Sequence, residues 1–207
     1  MVTRTPTVFV VDDDQALCES LQWLLESVGL AVRTFPSAEQ FLAAYDPADP
    51  GCLVLDIRMP GMNGLDLQNR LGGRGITLPV IVITGHGDVP LAVRALRAGA
   101  VDFLEKPVHD QLLLQRIRAA LERDAATRRE QERRSGTAAR LAHLTPRERE
   151  VLELVVAGRA NKQIAAELGV TQKTVEVHRK RVMQKMGVRS AVALTRLILE
   201  QRPPPTG

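Results

Sequence analysis

Aromatic residues and cysteines are scarce in this chain, and their scarcity excludes several kinds of site. Four Phe, one Tyr and one Trp are spread over 207 residues, and none of them follows Phe103. The second half of the chain therefore lacks the stacking platforms with which proteins bind single-stranded nucleic acid. The two cysteines, Cys18 and Cys52, form neither a disulfide framework nor a metal-ligand spacing, which fits a reducing compartment.

Long apolar runs are also missing. No stretch of the sequence approaches the length of a membrane span, and the N-terminal MVTRTPT lacks the apolar segment of a signal peptide. These absences predict a soluble cytoplasmic protein without a membrane partner. The length suits one large domain or two ordinary ones, with enough apolar residues for a real core.

Charge is distributed unevenly along the chain. Residues 1–122 carry a net charge of −5, whereas residues 123–142 carry +3 and residues 143–207 carry +6. An acidic first part and a basic second part predict two domains, of which the second meets a polyanion. A basic surface that only faces solvent is the alternative that charge alone leaves open.

The first 122 residues alternate short apolar runs with longer segments of helical periodicity. Five βα units of this length predict an α/β fold with a doubly wound, five-stranded parallel sheet. In such sheets, ligands bind outside the carboxyl ends of the strands. The predicted strands are Thr7–Val11, Ala31–Phe35, Cys52–Leu55, Pro79–Ile83 and Val101–Leu104, and the predicted helices are Ala16–Ser27, Ala38–Tyr45, Leu65–Leu71, Pro90–Ala98 and Gln111–Leu121.

Acidic residues follow two of these strands. Asp12 and Asp13 follow the first strand in FVVDDDQA, and Asp56 follows the third in LVLDIRMPG. If the two strands are neighbours, the three carboxylates converge and raise one another's pKa values. A divalent ion would remove this repulsion, and Mg²⁺ prefers a few carboxylates together with water and phosphate oxygens. Asp14, the third member of the run, is predicted to cap the helix that begins near Gln15.

Thr84 and Lys106 end two further strands at the same edge of the predicted sheet. A hydroxyl and an ammonium beside a metal-bound carboxylate are the groups that phosphoryl transfer to that carboxylate requires. The ion and Lys106 would neutralise charge on the transferring oxygens while Asp56 attacks in line. The sequence therefore predicts a phosphoryl-transfer site.

These motifs, taken in order over residues 6–122, resemble the receiver domain of a bacterial two-component response regulator. The resemblance implies that Asp56 accepts a phosphoryl group from the phosphohistidine of a sensor kinase. It implies that Lys106, followed by a cis peptide bond to Pro107, binds the phosphoryl oxygens, and that Thr84 and Phe103 are switch residues. The implied Mg²⁺ or Mn²⁺ ligands are Asp12, Asp13, Asp56 and the backbone carbonyl of Arg58.

The segment that follows residue 122 is charged, helix-prone and nearly free of large apolar residues. It predicts a partly helical linker over residues 123–142, with a break at Ser135-Gly136. Structure restarts in LTPRERE, where Thr145 can cap a helix and Pro146 suits its first position. Glu148, three residues after the threonine, completes a capping box.

The segment NKQIAAELGVTQKTVEVHRKRVMQKM has helix-turn-helix spacing. A first helix over Lys162–Leu168 is followed by a turn at Gly169 and a cap at Thr171. In the second helix, Val175, Val182 and Met186 form a stripe that is predicted to be buried. The opposite face carries side chains of the kind that read the major groove, namely Lys173, Val177, Lys180, Arg181 and Gln184, with Glu176 at its side.

The segment Leu144–Leu199 resembles the all-α, four-helix DNA-binding domain of the LuxR/NarL/FixJ class, through LTPREREVL, NKQIA, KTVEVH and VMQKM. The resemblance implies that Glu176, Val177 and Lys180 approach bases, and it gives His178 a structural role. The implied phosphate contacts are Lys173, Thr174, Arg179 and Arg181. A helical bundle whose basic face meets only solvent is the alternative.

The order of receiver, charged linker and helix-turn-helix resembles the FixJ subgroup of response regulators, which includes regulators of aromatic-hydrocarbon catabolism. It implies a cytoplasmic bacterial transcription factor, more often an activator, with no enzyme activity beyond its own phosphorylation and dephosphorylation. The implied domains are 1–122, 123–142 and 143–207. The implied partners are a sensor histidine kinase, double-stranded promoter DNA, RNA polymerase and, on phosphorylation, a second copy that contacts Val93 and Arg97.

A metal-dependent phosphohydrolase of the haloacid-dehalogenase kind is the alternative from another functional class. Asp12 and Asp14 would supply its D-x-D motif with Asp12 as nucleophile. Ala16 stands where that motif needs a threonine, however, and Asp56 would have no role. A receiver that binds DNA without phosphorylation is a third possibility, which the complete set of site residues disfavours.

Overall fold

The computed structural model describes residues 4–85 and 89–201, without the side chain of Val89. The chain divides into two units, Met1–Arg128 and Arg129–Gly207. Residues 1–3 and 202–207, at the outer ends of the two predicted domains, lie outside the described residues. Among the described helices, none is both long enough and apolar enough to span a membrane.

The first unit contains one parallel sheet of five strands in the order β2-β1-β3-β4-β5. The predicted α/β doubly wound fold is therefore confirmed, and the switch in strand order lies between β1 and β3. The strands are β1 (Thr7–Val11), β2 (Ala31–Phe35), β3 (Gly51–Asp56), β4 (Val80–Thr84) and β5 (Asp102–Glu105). The helices that begin in this unit are α1 (Gln15–Ser27), α2 (Ala38–Ala44), α3 (Gly64–Gly73), α4 (Val89–Arg97) and α5 (Asp110–Ala142).

Helices cover both faces of the sheet, which explains the continuous apolar runs of the central strands. On one face, Phe9 and Val11 of β1 pack in a core that includes residues of α2, α3 and α4. On the other face, Val8 and Val10 pack in a core that includes residues of α1 and α5. Alternate residues of β1 thus pack into two separate cores, one on each face of the sheet. Packing on both faces holds the carboxyl end of the strand in place.

Helix α5 continues to Ala142, so the linker is helical throughout and the predicted break at Ser135-Gly136 was wrong. Glu130 pairs with Arg133 and Arg134, one turn further along the helix, at 2.8 and 2.7 Å. Thr137 is buried and its hydroxyl donates to the backbone carbonyl of Arg133 at 2.9 Å. A glycine in a helix interior costs about 1 kcal/mol, and these local interactions with the burial of Thr137 offset that cost.

The described residues of the second unit, which end at residue 201, form four further helices, and this confirms the predicted all-α fold of the C-terminal part. They are α6 (Pro146–Val156), α7 (Asn161–Leu168), α8 (Gln172–Met186) and α9 (Ala191–Leu199). Thr145 and Glu148 form the predicted capping box at the start of α6. Gly169 ends α7 with a φ of 66°, in the left-handed region that favours glycine. Val151, Ile164 and Val175 are among the residues that form the core of these helices.

Glu148 links the capping box to α8. Its carboxylate is buried and lies 2.6 Å from the ammonium of Lys185. The hydrogen bond from Lys185, with a second from the Thr145 amide, lowers the pKa of Glu148 from 4.5 to about 2. An acid whose pKa is lowered by folding stabilises the fold above its ordinary pKa, and that stabilisation is lost as the pH falls through the lowered value.

We therefore expect the second unit to lose stability between about pH 4.5 and about pH 2. Lys185→Met keeps the aliphatic stem but removes the charge, and should lower the free energy of unfolding at neutral pH by about 1 kcal/mol. It should also weaken the pH dependence in the acid range. Hydrogen exchange of α6 and α8 peptides in the full chain measures both. Lys162→Met, an exposed lysine, is the control, and an unaltered acid response in Lys185→Met would contradict the assignment.

Candidate functional site

Three carboxylates meet where β1 and β3 end. The two strands are adjacent and parallel, with Val11 opposite Leu55, so Asp12 and Asp56 follow at the same edge. One carboxylate oxygen from each of Asp12, Asp13 and Asp56 lies within 4.8 Å of the others. Asp12 and Asp56 are 1% and 4% exposed, whereas Asp13 is exposed. The site is therefore buried on one side and open to solvent on the other.

Lys106 bridges the two buried carboxylates. Its ammonium lies 2.6 Å from Asp12 Oδ2 and 2.9 Å from Asp56 Oδ1. Burial, together with the charge of Asp12, raises the pKa of Asp56 although Lys106 opposes this. Burial alone would lower the pKa of Lys106, but the hydrogen bonds to Asp12 and Asp56 outweigh it and raise that pKa. The ammonium therefore stays charged at neutral pH. Lys106 directly follows β5, and the peptide bond from Lys106 to Pro107 is cis.

The loop after β3 is held close to Asp56. The Arg58 amide donates to Asp56 Oδ2 at 2.6 Å, and the Gly64 amide donates to the Ile57 carbonyl at 3.0 Å. A Cβ atom on Gly64 would lie 2.2 Å from the Asp56 carbonyl oxygen. Only glycine therefore lets α3 begin so close to Asp56. The backbone of Arg58, whose carbonyl is a predicted ion ligand, belongs to this same loop.

The donor set fits a divalent ion. When all three carboxylates are ionised, their charge exceeds that of the single ammonium of Lys106. Carboxylate oxygens are the ligands that Mg²⁺ and Mn²⁺ prefer, and Mg²⁺ is typically held by one or two carboxylates with waters and phosphate oxygens. Asp13 is the carboxylate of this cluster that solvent reaches.

Thr84 ends β4 at the same edge of the sheet as this cluster, and its hydroxyl is buried. The residue is fully buried, and its Oγ1 has no hydrogen-bond partner among residues 4–85 and 89–201. A buried hydroxyl without a partner costs free energy, so the position favours a ligand oxygen that can accept from it. A phosphoryl oxygen on Asp56, as the sequence predicts, would be such an acceptor.

The other residues predicted for the switch surface lie on α4 and β5. Phe103 is half-buried and packs against the core beneath α4. Val93, 41% exposed, and Arg97, also exposed, lie on α4. The structure thus places Val93 and Arg97 on one helix and Phe103 on the strand beside it. Their switch and dimer roles stay predictions.

Cys18 supports the site, and sequence reasoning gave it no role there. Its thiol donates to the Asp12 backbone carbonyl at 3.4 Å. Burial raises the pKa of Cys18 to about 11, so the group stays a neutral thiol that can donate. The spacing of Cys18, Leu21 and Leu25 along the buried side of α1 was the signal that could have indicated it. Asp14 caps α1 as predicted, accepting from the Leu17 amide at 3.1 Å.

Helix α8 carries the predicted nucleic-acid face. Thr171 caps it by accepting from the Thr174 amide at 3.2 Å, and Val175, Val182 and Met186 are buried. His178 is half-buried, and its buried Nδ1 has no hydrogen-bond partner among the described residues, so its structural role stays a prediction. The outward side chains are Lys173, Glu176, Val177, Lys180 and Arg181, while Thr174 and Arg179 are half-buried.

The charged side chains of this face are available to a ligand. Within the parts of the chain that the structure describes, Lys173, Lys180 and Arg181 make no hydrogen bond or ion pair. Val177, 46% exposed, supplies an apolar surface among them. Cations and a small apolar side chain on an exposed helix can contact phosphates and base edges in a major groove.

Comparison with known proteins agrees with this arrangement. Residues 8–118 match the response regulator receiver domain, and residues 142–198 match the luxR family of bacterial regulatory proteins. The chain is 52% identical to the transcriptional regulatory protein FixJ of Azorhizobium caulinodans, over 93% of this chain and 91% of that protein. The structure of the response regulator StyR has a TM-score of 0.88 at 46% identity and covers 95% of this chain and 99% of that one. Full-length FixJ from B. japonicum has a TM-score of 0.60 at 42% identity, covering 96% and 98% of the two chains.

Proposed function

The chain belongs to the FixJ-type response regulators, which are two-component transcription regulators with a receiver domain and a LuxR-type DNA-binding domain, and we propose that phosphorylation of Asp56 controls its DNA binding. The observation that carries the proposal is the contact of Lys106 with both Asp12 and Asp56. The same site contains Asp13 and a Thr84 hydroxyl that has no hydrogen-bond partner among the described residues. The phosphohydrolase alternative is set aside because the relatives and both matched families are regulators.

The proposed reaction is phosphoryl transfer from the phosphohistidine of a sensor histidine kinase. A carboxylate oxygen of Asp56 attacks the phosphorus in line, and the new P–O bond forms as the P–N bond breaks. Lys106 neutralises charge on the phosphoryl oxygens, and the Thr84 hydroxyl donates to one of them. A Mg²⁺ or Mn²⁺ ion held by Asp12, Asp13, Asp56 and the Arg58 carbonyl would add positive charge at those oxygens.

The proposed domains are a receiver over residues 1–122, a linker over 123–142 and a DNA-binding domain over 143–207. The receiver's own chemistry would extend to self-catalysed phosphorylation from a small phosphodonor and to self-catalysed dephosphorylation. Membership of this family also supports a cytoplasmic location.

The proposed consequence of phosphorylation is a change at the surface formed by α4, β5 and the start of α5. The phosphoryl group adds about one unit of negative charge and new acceptor oxygens. Thr84 and Phe103 would follow it, and a second copy would then contact Val93 and Arg97. A switch from mostly inactive to mostly active needs on the order of 5 kcal/mol of differential stabilisation.

Dimerisation would place two copies of α8 on two half-sites of promoter DNA. Glu176, Val177 and Lys180 would approach bases, and the phosphate contacts would come from Lys173, Thr174, Arg179 and Arg181. The bound dimer would then act on RNA polymerase, in our proposal as an activator.

Incubation of the purified chain with Mg²⁺ and acetyl phosphate tests this function. We expect one phosphoryl group per chain, a larger dimer fraction in sedimentation, and roughly tenfold tighter binding to a duplex selected from a random pool. Intact mass, peptide mapping and a binding titration measure the three results. Stoichiometric labelling at Asp56 without any change in assembly or DNA affinity would contradict control by phosphorylation.

A further inference from the structure

Residues 122–128 of α5 belong to the first unit, although the segment that begins with them has almost nothing apolar to bury. Alanines are its only apolar residues before Leu141. The receiver match ends at residue 118, yet the first unit extends to Arg128. Something other than an apolar stripe therefore holds these turns of helix to the sheet.

Asp124 is one part of the answer. The residue is 2% exposed, and its Oδ2 accepts from the Gly51 amide at 2.9 Å and from Arg128 Nε at 2.8 Å. Gly51 begins β3, and Asp56 ends the same strand. A buried carboxylate is costly unless it is paired and hydrogen-bonded, so Asp124 depends on both partners.

Arg128 is the other part. Beyond its contact with Asp124, the guanidinium donates to the backbone carbonyls of Pro47 at 3.2 Å, Ala48 at 3.3 Å and Asp49 at 2.6 Å. All three of its nitrogens are used, and the loop between α2 and β3 closes around one side chain. The planar, always charged fork of arginine suits this task, which a lysine could not perform.

We propose that Asp124 and Arg128 form a latch that fixes α5 to the start of β3 and thereby carries the state of the receiver into the linker helix. The first turns of α5 belong to the surface that phosphorylation is proposed to change. Because the latch holds α5 at Asp124 and Arg128, a shift of the first turns of α5 would rotate the part of the helix that follows Arg128. Without it, the polar segment after Leu121 would move freely and the shift would be lost. The inference rests on the proposed function for this second, transmitting role.

Arg128→Gln tests the latch in the full chain. Hydrogen exchange of residues 119–128 should become at least about tenfold faster, while exchange of residues 113–118 stays unchanged. Phosphoryl uptake at Asp56 from acetyl phosphate should equal that of the wild type. The ratio of DNA affinities with and without phosphorylation, measured with the duplex selected by the phosphorylated wild type, should fall to about one in this variant.

Arg123→Gln is the matched control, because it removes the same charge from an exposed position on the same helix, without a partner in the described parts of the chain. It should leave exchange and the phosphorylation response as in the wild type. Asp124→Asn is the second variant, since it keeps an acceptor for Gly51 but removes the ion pair, and it should reproduce Arg128→Gln.

The outcomes separate the two roles. Unchanged exchange in both latch variants would overturn the latch itself. Faster exchange with a wild-type phosphorylation response would overturn its transmitting role. If phosphorylation does not change the DNA affinity of the wild type, the proposed function is refuted. The hydrogen-exchange data would still decide whether the latch holds the helix.

Discussion

Asp56→Asn is expected to abolish phosphoryl uptake, lowering the labelling rate with acetyl phosphate at least about 10³-fold. The amide that replaces the carboxylate is a poor nucleophile, and it withdraws one negative charge from the ion site. Asp12 and Lys106 remain, yet neither can accept the group in line at the end of β3. Intact mass of the wild type and the variant after the same incubation measures the effect.

The fold should survive this change. Burial raises the pKa of Asp56, so its ionised form is less favoured in the folded chain than in the unfolded one. The folded chain thus binds a proton at Asp56 more tightly than the unfolded chain does. This adds to the free energy of unfolding below the ordinary pKa of aspartate, and the contribution is lost as the pH rises through the raised pKa of Asp56. Asparagine does not titrate, so Asp56→Asn removes this pH-dependent contribution. The free energy of unfolding of the first unit at neutral pH should therefore be at least that of the wild type, and it should vary less with pH in the acid range.

Asp14→Asn is the control for both measurements, since it makes the same chemical change next to the site. Asp14 caps α1, which asparagine can also do, and phosphoryl uptake should persist. Labelling of Asp56→Asn at the wild-type rate would place the phosphoacceptor elsewhere. A label on Asp12 with rapid phosphate release would restore the phosphohydrolase interpretation.

Lys180→Ala is expected to weaken binding to the selected duplex by ten- to a hundredfold, corresponding to about 1–3 kcal/mol for a side chain that is proposed to reach base edges. Lys180 is exposed on α8 and has no partner within the described residues that would hold it back. Val177→Ala should change which DNA sequences are preferred more than it changes the overall affinity, because the proposed contact of Val177 with a base is apolar. Titrations with the selected duplex and with single-base variants of it separate the two effects.

Arg129→Ala is the control for charge, because it removes one exposed cation from α5 and leaves α8 intact. Its affinity should differ from that of the wild type by less than the effect of Lys180→Ala at every salt concentration. Unchanged binding in both Lys180→Ala and Val177→Ala would show that another face of the helix meets DNA.

The parts of the molecule that the sequence predicted well are those where a local pattern is enough. The apolar run of β1 and the aspartates after it predicted both the strand and the carboxylate cluster, because parallel strands bring their carboxyl ends to one edge. Caps at Asp14, Thr145 and Thr171 also needed only neighbouring residues. The bounds of β1 and β2 therefore agree with the prediction residue by residue.

What the sequence could not predict depends on contacts between distant residues. Asp124 and Arg128 have the spacing of an ordinary surface pair on a helix. Asp124 is nevertheless buried and Arg128 half-buried, because Gly51, 73 residues before Asp124, and the loop over residues 47–49 bind them. The break predicted at Ser135-Gly136 failed for a related reason, since the burial of Thr137 arises from tertiary packing. Gln68, buried on α3 and donating to the Ala95 carbonyl of α4 at 3.0 Å, is a third case.

The bridge that Lys106 makes between Asp12 and Asp56 has a consequence for the order of assembly. A chain that needed a cation to bring its buried acids together could fold only where that cation was abundant. Here Lys106, a residue late in the receiver sequence, supplies that positive charge within the chain itself, and the exposed Asp13 leaves a side through which the proposed ion would enter. We therefore expect the receiver fold to tolerate a loss of magnesium that would lower its proposed phosphorylation.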